Sequence, residues 1–155
     1  MRRLLLSAFG LGWIPPVPGT YASAATVGVV LAVHGAAFGP TTPLLLALLA
    51  FGVVTTLALG GSLQAKDGHG DPGWVVTDEV AGQALALVVA TASSSASPFW
   101  LAGLSFVLFR ILDIVKPGVV GAAERLPGGL GILADDLVAG AIAGVLAGGI
   151  GSVLA

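Results

Sequence analysis

The stretch Trp74-Val75-Val76-Thr77-Asp78-Glu79-Val80-Ala81-Gly82 places two adjacent carboxylates, Asp78 and Glu79, at the start of a long apolar run. A charged side chain in hydrocarbon costs roughly 3 kcal/mol on insertion scales, so such a pair is expected to face a polar interior, bind a cation or sit at the interface. The device returns near the C-terminus. Leu133-Ala134-Asp135-Asp136-Leu137-Val138-Ala139-Gly140 sets Asp135 and Asp136 just before a second apolar run, again with a glycine four residues after one of the acids. Two acidic pairs opening two apolar segments outline a site.

The composition says what surrounds it. The 155 residues are 56% hydrophobic and 9% charged, with a mean hydropathy of +1.03, against roughly 25% charged residues in an average soluble domain. The expected fold is an all-α polytopic membrane helix bundle. Residues 1–155 give room for a single domain of about five transmembrane helices at roughly 20 residues each. A net charge of -2 and the lack of any basic stripe argue against a nucleic-acid partner. There is no cysteine, which excludes thiol nucleophiles, disulfides and sulfur-ligated metals. A metal must be held by oxygen, with His34 or His69 as the imidazoles that could join.

Met1 to Trp13 carries Arg2, Arg3 and a short apolar run, a superficial likeness to a signal peptide. The rigid Pro15-Pro16-Val17-Pro18-Gly19 and the immediate return of apolar residues favour an interfacial or re-entrant piece feeding a helix capped by Thr20. The spans are expected at about Tyr21 to Phe38, Leu44 to Leu63, Thr77 to Ala92, Phe99 to Val115, and Leu133 to the end. Gly39 to Pro43, Ser93 to Pro98, and the polar loops Lys66 to Gly73 and Val119 to Leu130 separate them. Arg110, Asp113 and Lys116 recur at a spacing of three and should share a helical face, and Pro117 ends that helix. Gly140, Gly144 and Gly148 align with Asp136, a stripe of small residues that lets helices approach closely in lipid.

If Arg2 and Arg3 keep the N-terminus in the cytoplasm, five spans put the loops containing Lys66 and Lys116 to Arg125 on that same side. The other two loops contain no charge. The carboxylate cluster and polar loops are therefore expected at the cytoplasmic face of the bundle, close to Pro18-Gly19-Thr20.

Carboxylates from three helices, with Arg110 and Lys116 beside them, suit a hard cation plus a phosphate. Mg²⁺ takes oxygen ligands, keeps several waters and often bridges to substrate phosphate. It can polarise a phosphoryl oxygen and activate a water, while Arg110 and Lys116 offset charge on the transferring group. The plain alternative is that Arg110 pairs with Asp113 and that the acidic pairs cap helix N-termini. One pair alone would be read that way; two pairs plus Asp113, in a chain with so few charges, point to a site. His69 and Asp67 read as solvated loop residues.

Four segments then carry a resemblance: Val17-Pro18-Gly19-Thr20, Asp71 to Gly82, Phe109 to Pro117, and Gly128 to Gly140. In order and spacing they resemble the signatures of the phosphatidylglycerophosphatase A family, and they cover most of the chain. The resemblance implies a Mg²⁺-dependent lipid phosphatase of the bacterial inner membrane, its active site facing the cytoplasm. Its lipid substrate would be phosphatidylglycerol phosphate, hydrolysed to phosphatidylglycerol and inorganic phosphate. It further implies that Asp78, Glu79, Asp113, Asp135 and Asp136 are catalytic, with Asp78, Glu79, Asp135 and Asp136 as metal ligands. Arg110, Lys116 and Thr20 would contact the substrate phosphate, and Asp71, Gly82 and Gly140 would support the site. Two positions depart from the family pattern: Ala22 stands where glycine is expected, and Gly118 where an aromatic is common.

Two other classes compete. An alcohol phosphotransferase of phospholipid synthesis would need a D-G-x-x-A-R run, and the sequence has none. A small divalent-cation binding or transport protein could use the same acidic cluster, but it would be expected to place polar residues at mid-span, where this chain has Ala, Val, Leu and Gly.

Overall fold

Proline and serine set the helix boundaries. Pro43 and Pro98 sit in the first turns of two helices, where a missing N–H costs nothing and the fixed φ is already helical. Ser94 turns the chain to an extended conformation at the end of another. A computed structural model describes residues 1–35, 41–60 and 73–154. Their order is α1 (Arg2–Leu6), a 3₁₀ turn (Leu11–Trp13), α2 (Pro18–Gly35), α3 (Thr42–Thr55), running on into a π-helical turn (Thr56–Gly60), α4 (Thr77–Ser93), α5 (Pro98–Val115), α6 (Val119–Ala123) and α7 (Gly129–Leu154). The described residues contain no strand. Lys66, Asp67, His69 and Asp71 lie outside them, as do the expected span ends at Phe38 and Leu63.

Among the described residues five long helices form an all-α bundle, and three segments in it are long and apolar enough to cross a membrane: Thr42–Gly60, Pro98–Val115 and Gly129–Leu154. The count of five spans is not reached by this measure. Glycines and hydroxyls dilute the apolarity of α2, and α4 has 17 residues and opens with Asp78 and Glu79. Exposed side chains such as Val54, Val107, Ile111 and Val145 give the outer helices the surface a lipid environment demands.

The expected helix starts shift in two places. α2 begins at Pro18, so Thr20 lies inside its first turn instead of capping it. α7 begins at Gly129 rather than Leu133, which moves Asp135 and Asp136 into its second turn, beyond the first turn where they could cap it.

Helix α4 is the axis of the bundle, packed against α2, α3, α5 and α7. Its buried side chains are mostly small, among them Ala81, Gly82, Ala84, Ala86 and Ala90, which lets its neighbours approach closely. The tightest approach is to α7. A Cβ on Gly140 would collide with the carbonyl oxygen of Gly82, and one on Gly82 would meet the Phe109 ring and the carbonyl oxygen of Asp136. Farther along, Gly144 faces Val89 and Gly148 faces Ser93, so the glycine stripe is the seam it was expected to be. Gly140→Ala should lower the thermal midpoint in detergent by at least the equivalent of about 1–3 kcal/mol, the usual cost of overpacking. Gly149→Ala, on the same helix with open space around its Cβ, should not; equal midpoints for both variants would refute the seam.

The N-terminal segment lies across the ends of α3 and α4. Arg2 donates to the Leu59 carbonyl through Nε at 3.1 Å and Nη2 at 2.6 Å. The Val76 N–H donates to the Leu6 carbonyl at 2.9 Å, and the Arg3 guanidinium lies 5.9 Å from the Trp74 ring centroid. Ala22, the departure from glycine, is buried with Ala8, Val76 and Val80, its methyl filling this apolar cluster.

Candidate active site

The polar end of the bundle is assembled by three helix ends. α4 is pinned just before its acids, where the hydroxyls of Thr56 and Thr77 lie 2.8 Å apart. Asp78 is buried and its Oδ1 accepts the Glu79 N–H at 3.1 Å. Glu79 needs room on the α2 side, and Gly19 supplies it: any Cβ at Gly19 would strike the Glu79 carboxylate. That contact gives the Pro18-Gly19-Thr20 motif a physical role that belongs to the glycine. Thr20 does not line the cavity described below, so its expected contact with phosphate has no support in this arrangement.

α5 supplies Asp113 and α7 supplies Asp135 and Asp136, both buried. Ligand oxygens of Asp78, Glu79 and Asp136 lie within 4.8 Å of one another, and so do those of Asp113, Asp135 and Asp136. Asp136 belongs to both groups. Like charges this close repel strongly in a low-dielectric site unless a cation is shared among them. Two carboxylate oxygens, Glu79 Oε2 and Asp135 Oδ1, are buried with no hydrogen-bond partner, which is the coordination demand a hard cation meets. The donor set is all oxygen and fits Mg²⁺. His34 takes no part, its ring packing edge-on against Phe99 with centroids 6.1 Å apart.

The three polar residues of α5 do not share one face. Arg110 pairs with Asp113 at 2.9 Å, and its Nη1 lies 3.5 Å from the Ser23 hydroxyl of α2; its Nε is buried without a partner, and the residue does not line the cavity. Lys116 turns the other way because it ends the helix in the left-handed conformation, φ 48° and ψ 54°. A non-glycine residue held there is strained. From that position its ammonium bridges Glu124 and Asp135, each at 2.7 Å. Burial acts to lower the pKa of Lys116, but the hydrogen bonds to Asp135 and Glu124 prevail and hold it above its ordinary value. Gly118, the second departure from the family pattern, has φ 48° and ψ -105°, a conformation that glycine tolerates and side chains resist.

These groups open on a cavity of about 620 Å³, lined by all five acids, Lys116, Ile114, Glu124 and Arg125, among others. Glu124 and Arg125 were legible only as loop charges; α6 folds them back over the site. Gln83, one turn beyond Glu79 on α4, is fully buried with neither amide atom partnered, and its sole signal in the sequence is a polar residue in an apolar run.

Residues 4–150 match the sequence pattern of Phosphatidylglycerophosphatase A. The chain belongs to that family. A phosphatidylglycerophosphatase A from Escherichia coli is 36% identical over 150 residues, covering 93% of this chain and 80% of its own length. One from Haemophilus influenzae is 37% identical over 147 residues, covering 88% of this chain and 80% of its own. A Bacteroides thetaiotaomicron protein, provisionally named a phosphatidylinositol-3-phosphatase, is 33% identical over 146 residues, covering 92% and 89%. No solved structure matches the chain. As a member of the phosphatidylglycerophosphatase A family the protein is a membrane-associated lipid phosphatase, and its carboxylate clusters could hold a metal ion.

Proposed function

We propose that the whole chain acts as one integral-membrane domain that hydrolyses the terminal phosphate monoester of phosphatidylglycerol phosphate. The reaction would depend on Mg²⁺ and take place at the cytoplasmic leaflet of the bacterial inner membrane. The observation that carries this reading is the pair of carboxylate groups sharing Asp136, with buried, unpartnered oxygens at Glu79 and Asp135, in a chain of this family. Asp78, Glu79, Asp135 and Asp136 would hold the ion, with Asp113 beside them. Bound there, Mg²⁺ would offset the clustered negative charge, polarise the phosphoryl group and ease deprotonation of a water.

The chain's own residues do the rest. Cysteine is absent from the sequence, and water is the favoured nucleophile because the acids are engaged in holding the ion. Its oxygen bonds to phosphorus as the ester P–O bond breaks. Its proton goes to a carboxylate of the acidic pairs and on to the departing glycerol oxygen, which leaves as a hydroxyl of phosphatidylglycerol. Lys116 contacts the phosphate and holds Asp135, while Arg110 orients Asp113. The acyl chains stay in the bilayer as the headgroup reaches in from the side.

The test is phosphate release by the purified protein from phosphatidylglycerol phosphate in mixed micelles. EDTA should abolish it and added Mg²⁺ restore it; full activity in EDTA would overturn the metal assignment. Phosphatidylinositol 3-phosphate belongs in the same assay, because the Bacteroides relative's name points to that headgroup. Faster release from it would reassign the substrate and leave the site intact.

A further inference from the structure

Two cationic side chains line the cavity over the carboxylates, Lys116 and Arg125, and they are in opposite states. Lys116 is held by Asp135 and Glu124. Arg125 is set by the turn that follows α6, its N–H donating to the Ala122 carbonyl at 3.3 Å. Its side chain is exposed at the cavity and makes no hydrogen bond or ion pair among the described residues. Ile114 lines the same cavity and is about two-thirds exposed; next to Lys116 and Arg125 in the chain, Val115 and Leu126 are exposed as well. A free guanidinium beside exposed apolar side chains suits the boundary between acyl chains and headgroups, where a basic head meets phosphate and the flanking side chains meet lipid.

The substrate proposed above carries two phosphates. The monoester is cleaved and belongs over the carboxylates and their cation. The diester joining headgroup to diacylglycerol lies nearer the bilayer and presents two free oxygens to a donor fork. We infer that Arg125 binds this phosphodiester and thereby selects lipids whose monoester lies one headgroup away from it. This rests on the lipid-phosphate reading of the site.

Arg125→Gln and Arg125→Lys test it in the full-length protein in mixed micelles, against three probes. Phosphatidylglycerol phosphate has both phosphates, glycerol 3-phosphate has only the monoester, and phosphatidylglycerol has only the diester. Arg125→Gln should lower kcat/KM for the lipid substrate about tenfold, mainly through KM, as expected for one charged hydrogen-bonding group. Inhibition by phosphatidylglycerol should weaken as much, release from glycerol 3-phosphate and inhibition by inorganic phosphate should change less than about twofold, and Arg125→Lys should recover part of the loss. An equal loss on glycerol 3-phosphate would make Arg125 a monoester contact and overturn the inference, as would unchanged inhibition by phosphatidylglycerol. A wild-type protein that hydrolyses no lipid phosphate would defeat the underlying reading instead. The thermal shift caused by phosphatidylglycerol, compared between wild type and both variants, would then still decide whether Arg125 binds a diester.

Discussion

Asp136→Asn should remove nearly all turnover and yet leave a better-folded protein when no metal is present. The activity loss follows from position. Asp136 is the residue common to both carboxylate groups, so one substitution degrades every cation position they could form. Residues that only support a metal ligand typically cost about 10–100-fold in affinity or activity; a ligand shared by two groups should cost more, roughly 10³-fold in kcat. The stability effect has the opposite sign. Two like charges within 4.8 Å of each other repel by on the order of 3 kcal/mol or more at an effective dielectric of about 20, and asparagine removes that repulsion while keeping the shape. In EDTA the variant should therefore melt higher than wild type. Millimolar Mg²⁺ should raise the wild-type midpoint by mass action and leave the variant nearly unmoved. A lower midpoint for Asp136→Asn in EDTA, or an undiminished Mg²⁺ shift, would show that Asp136 is a structural acid and that the ion sits elsewhere.

Much of this site could be read from charge placement in a nearly uncharged chain. Two acidic pairs, a third acid on the helix between them and a glycine stripe in register with Asp136 require α4, α5 and α7 to meet at one end. What escaped the sequence reading is local backbone geometry. Val119 to Leu130 reads as a polar loop, its glycines weakening helices in water, but α7 starts at Gly129, and the acids move from a capping turn to a buried one. Arg110, Asp113 and Lys116 read as one face because a spacing of three assumes that the helix continues. Lys116 leaves it in a left-handed conformation, and the three groups divide between α2 and α7. Arg125 reads only as part of the polar loop Val119 to Leu130, because nothing in its neighbours announces that α6 brings it to the cavity over the acids.

That division makes Lys116 the more informative cation. Arg110 is committed to Asp113 and Ser23, so its replacement mainly misorients an acid. Lys116 sits between Asp135 and Glu124 and competes directly with any metal for the Asp135 carboxylate. Lys116→Met should keep the apolar stem and the fold but lower kcat by roughly 10²-fold, the scale of losing one preorganised electrostatic contact to the transition state. Metal affinity should move the other way. With the ammonium gone, Asp135 is released to the ion, so half-maximal protection by Mg²⁺ in thermal melts should fall to a lower concentration than in wild type. Glu124→Gln separates the two roles of Lys116. It removes one tether and strengthens the bond to Asp135, so it should weaken Mg²⁺ binding while retaining much more activity than Lys116→Met. Weaker Mg²⁺ protection in Lys116→Met would mean that the ammonium organises Asp135 for the metal instead of competing with it.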